Sequence, residues 1–208
     1  MTNPPLTLTG DLTQAVFETL SACDVVAMDT ETSGLDWRGD ELQLCQIYSA
    51  ETGPILLRRV TERPELLGRL LQSDLVTKVF HFAPFDLRFL ESQWDVRARR
   101  VACTKAASKL LSPGISNSEH SLTELSSRHL GIRLDKGPVR TSDWGASSLS
   151  AQQVAYAVAD VAHLPTLHHV LLQELHRTEL YELWRAVCDY MPVDAHLDVM
   201  GFSNPLIY

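Results

Sequence analysis

"VVAMDTETSGLDW" (Val25–Trp37) opens as an apolar strand and places two carboxylates, Asp29 and Glu31, where the apolar run ends. Residues two apart on an extended chain point to the same side, so both acids are aimed at one point in space. Like charges held that close repel and shift each other's pKa unless something positive sits between them. A divalent cation meets that requirement.

Outward from this strand the pattern is mixed. Upstream, "LTQAVFETLSAC" has helical spacing in Leu12, Val16 and Leu20; downstream, "ELQLCQIYSA" and "GPILL" read as two strands separated by the turn-prone "ETG", so that three strands form a meander. Pro64 is placed as the first residue of a helix, "PELLGRLLQ", which feeds the strand "TKVFH" and a second helix starting near Pro84. Alternating strands and helices predict an α/β sheet. "HSLTELSSRHLG" carries a capping box, Ser121 with Glu124, and a terminal Gly131; "SAQQVAYAVADVAHL" carries another in Ser150 and Gln153. Between them "GIRLDKGPVRTSDWGASS" is polar and reads as a long loop or a few short turns, and long ordered loops tend to be functional. The tail after Asp189 has too little amphipathic pattern for a second domain, so residues 1–208 are expected to form one domain with a C-terminal helix packed on it.

The composition is that of a folded protein, 45% hydrophobic and 21% charged over 208 residues. Apolar runs are too short to span a bilayer and "MTNPPLTLTG" lacks the regions of a signal peptide, so a cytoplasmic location is expected. Cys23, Cys45, Cys103 and Cys188 have no C-x-x-C spacing and read as buried free thiols. A net charge of -8 argues against capture of nucleic acid by a large positive field. One local basic run exists, "VRARRVACTKAASK", whose Arg97, Arg99, Arg100, Lys105 and Lys109 form either a solvated surface or a phosphate track.

Two further acids occupy positions that can meet the first pair. Asp86, in "HFAPFDLRFL", lies just past the strand "TKVFH" in the first turn of the next helix, and strand ends are where open α/β sheets place their sites. Asp160 closes "YAVAD", with Tyr156 four residues earlier on the same helical face. Singly, each acid has an ordinary explanation as a strand-end cap, a helix N-terminal charge or a surface residue. Their combination is harder to explain that way. His163, His168 and His169 lack mutual i,i+4 spacing and read as surface or interface histidines. No G-x-S-x-G, Walker, G-x-G-x-x-G or H-E-x-x-H sequence is present.

"DTE" after an apolar strand, "HFAPFD" at a strand-to-helix junction and "SLTELSSRHLGIRLDK…SDW…LSAQQVAYAVADV" together resemble the ribonuclease D branch of the DEDD-type 3′-5′ exonucleases. Ala155, at the position of the histidine in the other subgroup, points to the tyrosine-bearing one. The resemblance covers about residues 25–172 and implies a short form without the helical HRDC domain. It implies a ribonuclease H-like fold, a mixed sheet of about five strands flanked by helices. It also implies two divalent cations, Mg²⁺ or Mn²⁺, held about 3.5–4 Å apart by Asp29, Glu31, Asp86 and Asp160. Asp29 would bridge both ions, Asp86 would act largely through water, and Tyr156 would position the attacking water. Thr32 and Leu35 match positions that contact the terminal nucleotide, the leucine as a wedge. His81, Phe82 and Phe85 of the second motif and Lys136 of "LDK" join them as nucleic-acid-binding candidates. Phe82 stands where many relatives have Asn or Gln, and "DWGASSLS" lacks the Arg-Pro common before the last helix.

The activity so implied is release of nucleoside 5′-monophosphates from single-stranded RNA 3′ ends. The same chemistry on DNA or short oligonucleotides stays open, since recognition of a 2′-hydroxyl depends on loop detail. A non-catalytic nucleic-acid-binding module is the alternative from a different class.

Overall fold

The computed structural model describes residues 4–134, 138–202 and 204–206. Its centre is a mixed sheet of six strands: β1 (Leu6–Thr9), β2 (Val25–Thr32), β3 (Leu42–Ser49), β4 (Gly53–Arg58), β5 (Thr77–Phe80) and β6 (Val101–Cys103), in the order β1-β4-β3-β2-β5-β6. β2, β3 and β4 form the expected antiparallel meander, while β1 joins β4, and β5 and β6 extend from β2, in parallel. The sheet has one strand more than the five expected. β1 and β6 carry no readable strand pattern, being four residues of an edge and three residues inside a basic run. Their strand character comes from pairing with β4 and β5.

The helices are α1 (Gln14–Ser21), α2 (Glu65–Gln72), α3 (Ala83–Trp94), α4 (Thr104–Leu111), α5 (Leu122–Leu130), α6 (Ala151–Ala162), α7 (Leu164–Arg177) and α8 (Tyr181–Val199). One sheet face meets most of them in a core where Val26, Met28, Ile47, Ile55, Leu57 and Phe80 are fully buried. The other face is covered by α6 and the loop before it, through a smaller cluster of Leu44, Leu56, Trp144, Tyr156 and Ala157. Arg58 pins that loop by donating to the carbonyls of Trp144 and Ala146. α6 is thereby fixed across β2, β3 and β4, which carries its residues to the acidic end of β2.

Local signals are met with some substitutions. Ser150 and Gln153 form a reciprocal cap on α6, and Gly131 ends α5 with φ +68°, a conformation that suits glycine. Ser121 accepts from the Glu124 N–H, but the reciprocal box forms one turn earlier, between Ser116 and Glu119. Pro64 is the residue before α2 rather than its first; lacking a side chain that can cap, it leaves the Leu66 and Leu67 N–H groups to the Asp11 carboxylate at 2.7 and 3.0 Å. α8 runs on through Pro192 and packs against α3. Cys45, Cys103 and Cys188 are buried free thiols, whereas Cys23 is only half-buried, with its Sγ against Glu51. His168 is a core residue, not a surface one, tilted against Trp184 with ring centroids 5.6 Å apart; the partner ring comes from another helix. Among the described residues no helix is long and apolar enough to cross a membrane.

Candidate active site

Asp29 and Glu31 stand on the same face of β2, opposite Gln46 and Leu44 of β3. Gln46 donates to a Glu31 carboxylate oxygen at 3.3 Å. Directly after Glu31 the register slips, a bulge that ends regular pairing and turns the chain into the loop carrying Leu35. That loop is held by Asp40, which accepts from the Asp36 N–H at 2.9 Å. A Cβ on Gly34 would fall 2.3 Å from the Asp40 carboxylate, so any larger residue there would displace the side chain that holds the loop. Leu35, 83% exposed, is presented at the rim of the cavity below.

Asp86 arrives on α3. Thr30, whose side chain alternates away from its two acidic neighbours, donates its hydroxyl to Asp86 at 2.7 Å. α3 is preceded by Phe82 with φ +72°, a left-handed conformation that costs a non-glycine residue on the order of 1 kcal/mol and clusters at functional sites. Next to it, His81 Nδ1 lies 2.9 Å from the Thr104 hydroxyl, which in turn reaches the Phe80 carbonyl. α6 supplies Tyr156 and Asp160, one turn apart and both buried. Trp144 backs the Tyr156 ring at 5.8 Å.

These elements enclose one cavity of about 650 Å³. Asp29, Glu31, Asp86, Tyr156 and Asp160 line it, and so do Thr32, Leu35, His81, Phe82 and Phe85. Lys136 lies outside the described residues. The cavity also takes Thr141 and Ser142 from the long polar loop, Ser33 and Gly34 from the Leu35 loop, Leu122 from α5, and Thr30. Only the length and polarity of the loop hinted at Thr141 and Ser142. Nothing in the alternation of β2 marks Thr30.

Within the cavity Asp29, Glu31 and Asp160 each offer a carboxylate oxygen, and the three lie within 4.8 Å of one another. Asp86 shares the cavity but stands outside this tight group. Burial pushes the Asp86 carboxyl up to about 7, against the pull of the Thr30 hydroxyl. Burial also raises the Tyr156 phenol, helped by the negative charges of Asp160, Glu31 and Asp29 and by its hydrogen bond to Asp160. Tyr156 is therefore a proton-bearing donor in the metal-free protein. The donor set fits a hard divalent cation: oxygen-only, anionic, brought together from a strand and a distant helix.

Comparison with known proteins places this geometry in context. Residues 7–176 match the family model described as 3′-5′ exonuclease. Ribonuclease D of Zymomonas mobilis is 32% identical over 173 residues, 82% of this chain and 43% of that protein, so the chain spans less than half the length of such curated relatives. The structure of Brucella melitensis NrnC with bound Mg²⁺ superposes with a TM-score of 0.88 at 32% identity over 100% of both chains. The same protein has been solved bound to pGG. Escherichia coli RNase D, at 21% identity and a TM-score of 0.81 over 92% of this chain and 50% of that one, shares the fold.

Proposed function

The chain belongs to the 3′-5′ exonuclease family, in its ribonuclease D-like branch, and from that premise we propose that it removes nucleoside 5′-monophosphates one at a time from single-stranded RNA 3′ ends. The observation that carries the reading is the group of Asp29, Glu31 and Asp160, with ligand oxygens within 4.8 Å, beside the Tyr156 hydroxyl. Asp29, Glu31 and Asp160 would hold one divalent cation, and Asp86, with Asp29, a second. Bound there, such ions supply an activated water and stabilise charge on the departing oxygen.

The chain's own residues do the rest. Tyr156 donates to Asp160 and so fixes the phenol where it can orient a water beside the carboxylates. That water's oxygen loses a proton to solvent as it forms a bond to the phosphorus of the last phosphodiester; the bond to the 3′ oxygen breaks, the electron pair leaves on that oxygen, and the oxygen takes up a proton to become a hydroxyl. Thr32 and Leu35 on one side and Phe82 and Phe85 on the other flank the space for the terminal nucleoside. Apolar faces of this kind grip any base and read no sequence.

Incubation of end-labelled RNA with Mg²⁺ or Mn²⁺ tests the reading: a ladder shortening from the 3′ end is expected. Tyr156→Phe, which keeps the carboxylates but loses the hydroxyl, is expected to slow it about 10² -fold at unchanged metal affinity. A ladder that persists with Asp29→Asn would assign the activity to another protein. One observation favours very short strands as substrates: the pGG-bound NrnC structure aligns with 100% of this chain at a TM-score of 0.89. Matched RNA and DNA strands of two to ten nucleotides would rank the candidates.

A further inference from the structure

The basic run between α3 and α4 is sorted by the fold. Arg97 pairs with Glu91 at 3.5 Å and Arg99 with Asp74 at 3.0 Å, while Arg100 donates to the Thr77 hydroxyl and the Asp74 carbonyl. Those three are engaged before β6 begins, Arg97 and Arg99 by acids and Arg100 by neutral oxygens. Lys105 and Lys109 emerge after β6, on α4, and of the ion pairs among the described residues none involves either. α4 lies at the cavity rim: its Thr104 contacts His81, and the Lys105 ammonium sits 4.7 Å from the centre of the Phe82 ring. Lys109 follows one helical turn further out on the same face. There Ser108 joins His120 at 2.7 Å, tying α4 to the turn that leads into Leu122, another lining residue. The local potential is positive: after burial, Lys109, Arg128 and Lys105 are what hold the His120 pKa down. In a chain of net charge -8, this is a local cationic stripe that begins at the site and leads away from it.

Resting on the exonuclease reading, we propose that Lys105 and Lys109 form a phosphate track for the strand upstream of the cut, Lys105 taking the phosphate nearest the cavity and Lys109 the next one out. Phe82 is then shared: one face of its ring meets the nucleotide and the other carries the Lys105 cation, which orders the lysine and concentrates charge at the rim. The track makes length matter. A dinucleotide carrying a 5′-terminal phosphate reaches Lys105 only, whereas a longer strand reaches both.

Fluorescence anisotropy of a dinucleotide and an octanucleotide RNA, each labelled through a 5′-terminal phosphate, in Ca²⁺ and over a range of salt, tests the track in the whole protein. Lys105→Ala is expected to lower the slope of log affinity against log salt by about 0.7 for both ligands, the value for one phosphate on a single strand. Lys109→Ala is expected to do so for the octanucleotide alone, and Lys105→Arg to restore the wild-type slope, which separates lost charge from misfolding. Arg99→Ala, on the paired side, leaves both slopes unchanged. Equal slopes for wild type, Lys105→Ala and Lys109→Ala overturn the track, as does absence of RNA binding by the wild type. Failure of the parent reading looks different: RNA ends stay intact with Mg²⁺ or Mn²⁺ while the lysine variants still change the slope.

Discussion

Carboxylates crowd two regions of this molecule, and the protein treats them in opposite ways. Between α3 and α8, Asp194 and Asp198 close on Arg88 at 2.7 and 2.6 Å, and Glu91 meets His196 and Arg97. Each acid there has a basic side chain within reach, and the result is a clamp that holds α3 against the last helix. In the cavity, Asp29, Glu31 and Asp160 converge on one another within 4.8 Å, and Asp86 is buried beside them. The first arrangement stabilises a fold; the second crowds like charges in the way a cation site would. Both bear on α3, which carries Arg88 on the clamp side and Asp86 on the cavity side.

The comparison is broken most directly by neutralising one member on each side. Asp29→Asn or Asp160→Asn is expected to lower the exonuclease rate on the order of 10³-fold while the thermal midpoint holds or rises, because repulsion is removed. A fall in stability with activity intact would reverse the roles assigned to the two regions.

A pH titration of stability without metal sharpens it. The folded pKa of Asp86, about 7, lies above that of the unfolded chain, so its contribution is fully present at low pH and is lost as pH rises through 7. Metal-free protein is expected to lose up to a few kcal/mol between pH 5 and 8. Mg²⁺ is expected to restore more at pH 8 than at pH 5, since binding competes with the proton. Asp86→Asn should flatten the profile; an unchanged slope in that variant would remove Asp86 as its source.

Arg88→Met tests the clamp. Leaving Asp194 and Asp198 without their shared partner is expected to cost about 1–2 kcal/mol, discounted for their partial exposure, read as a lower urea midpoint. Well below that midpoint the rate should fall less than tenfold. The smallest effect is expected at Leu35→Ala, which removes a largely exposed side chain: stability unchanged, and strand affinity lowered about fivefold.

How much of this was legible without coordinates depends on the range of the interaction. Asp29 with Glu31, and Tyr156 with Asp160, follow from strand and helix periodicity, and Asp86 from its place at a strand-to-helix junction. Thr30 could not be read, because alternation points it away from its neighbours and only α3, arriving from a distant part of the chain, gives it Asp86. β1 and β6 are too short to show a period. The five cations from Arg97 to Lys109 look alike as a string; which are held by neighbouring groups and which stand on α4 is decided by where β6 inserts between them. His168 reads as surface until Trp184 of α8 covers it.

The central claim is that the crowded carboxylates are a cation site. Calorimetric titration of the metal-free protein with Mn²⁺, beside Asp29→Asn, tests it most directly. About two ions per chain are expected for the wild type, with at least one lost or strongly weakened in the variant. Absence of binding at millimolar Mn²⁺, or an isotherm the substitution leaves unmoved, would contradict it.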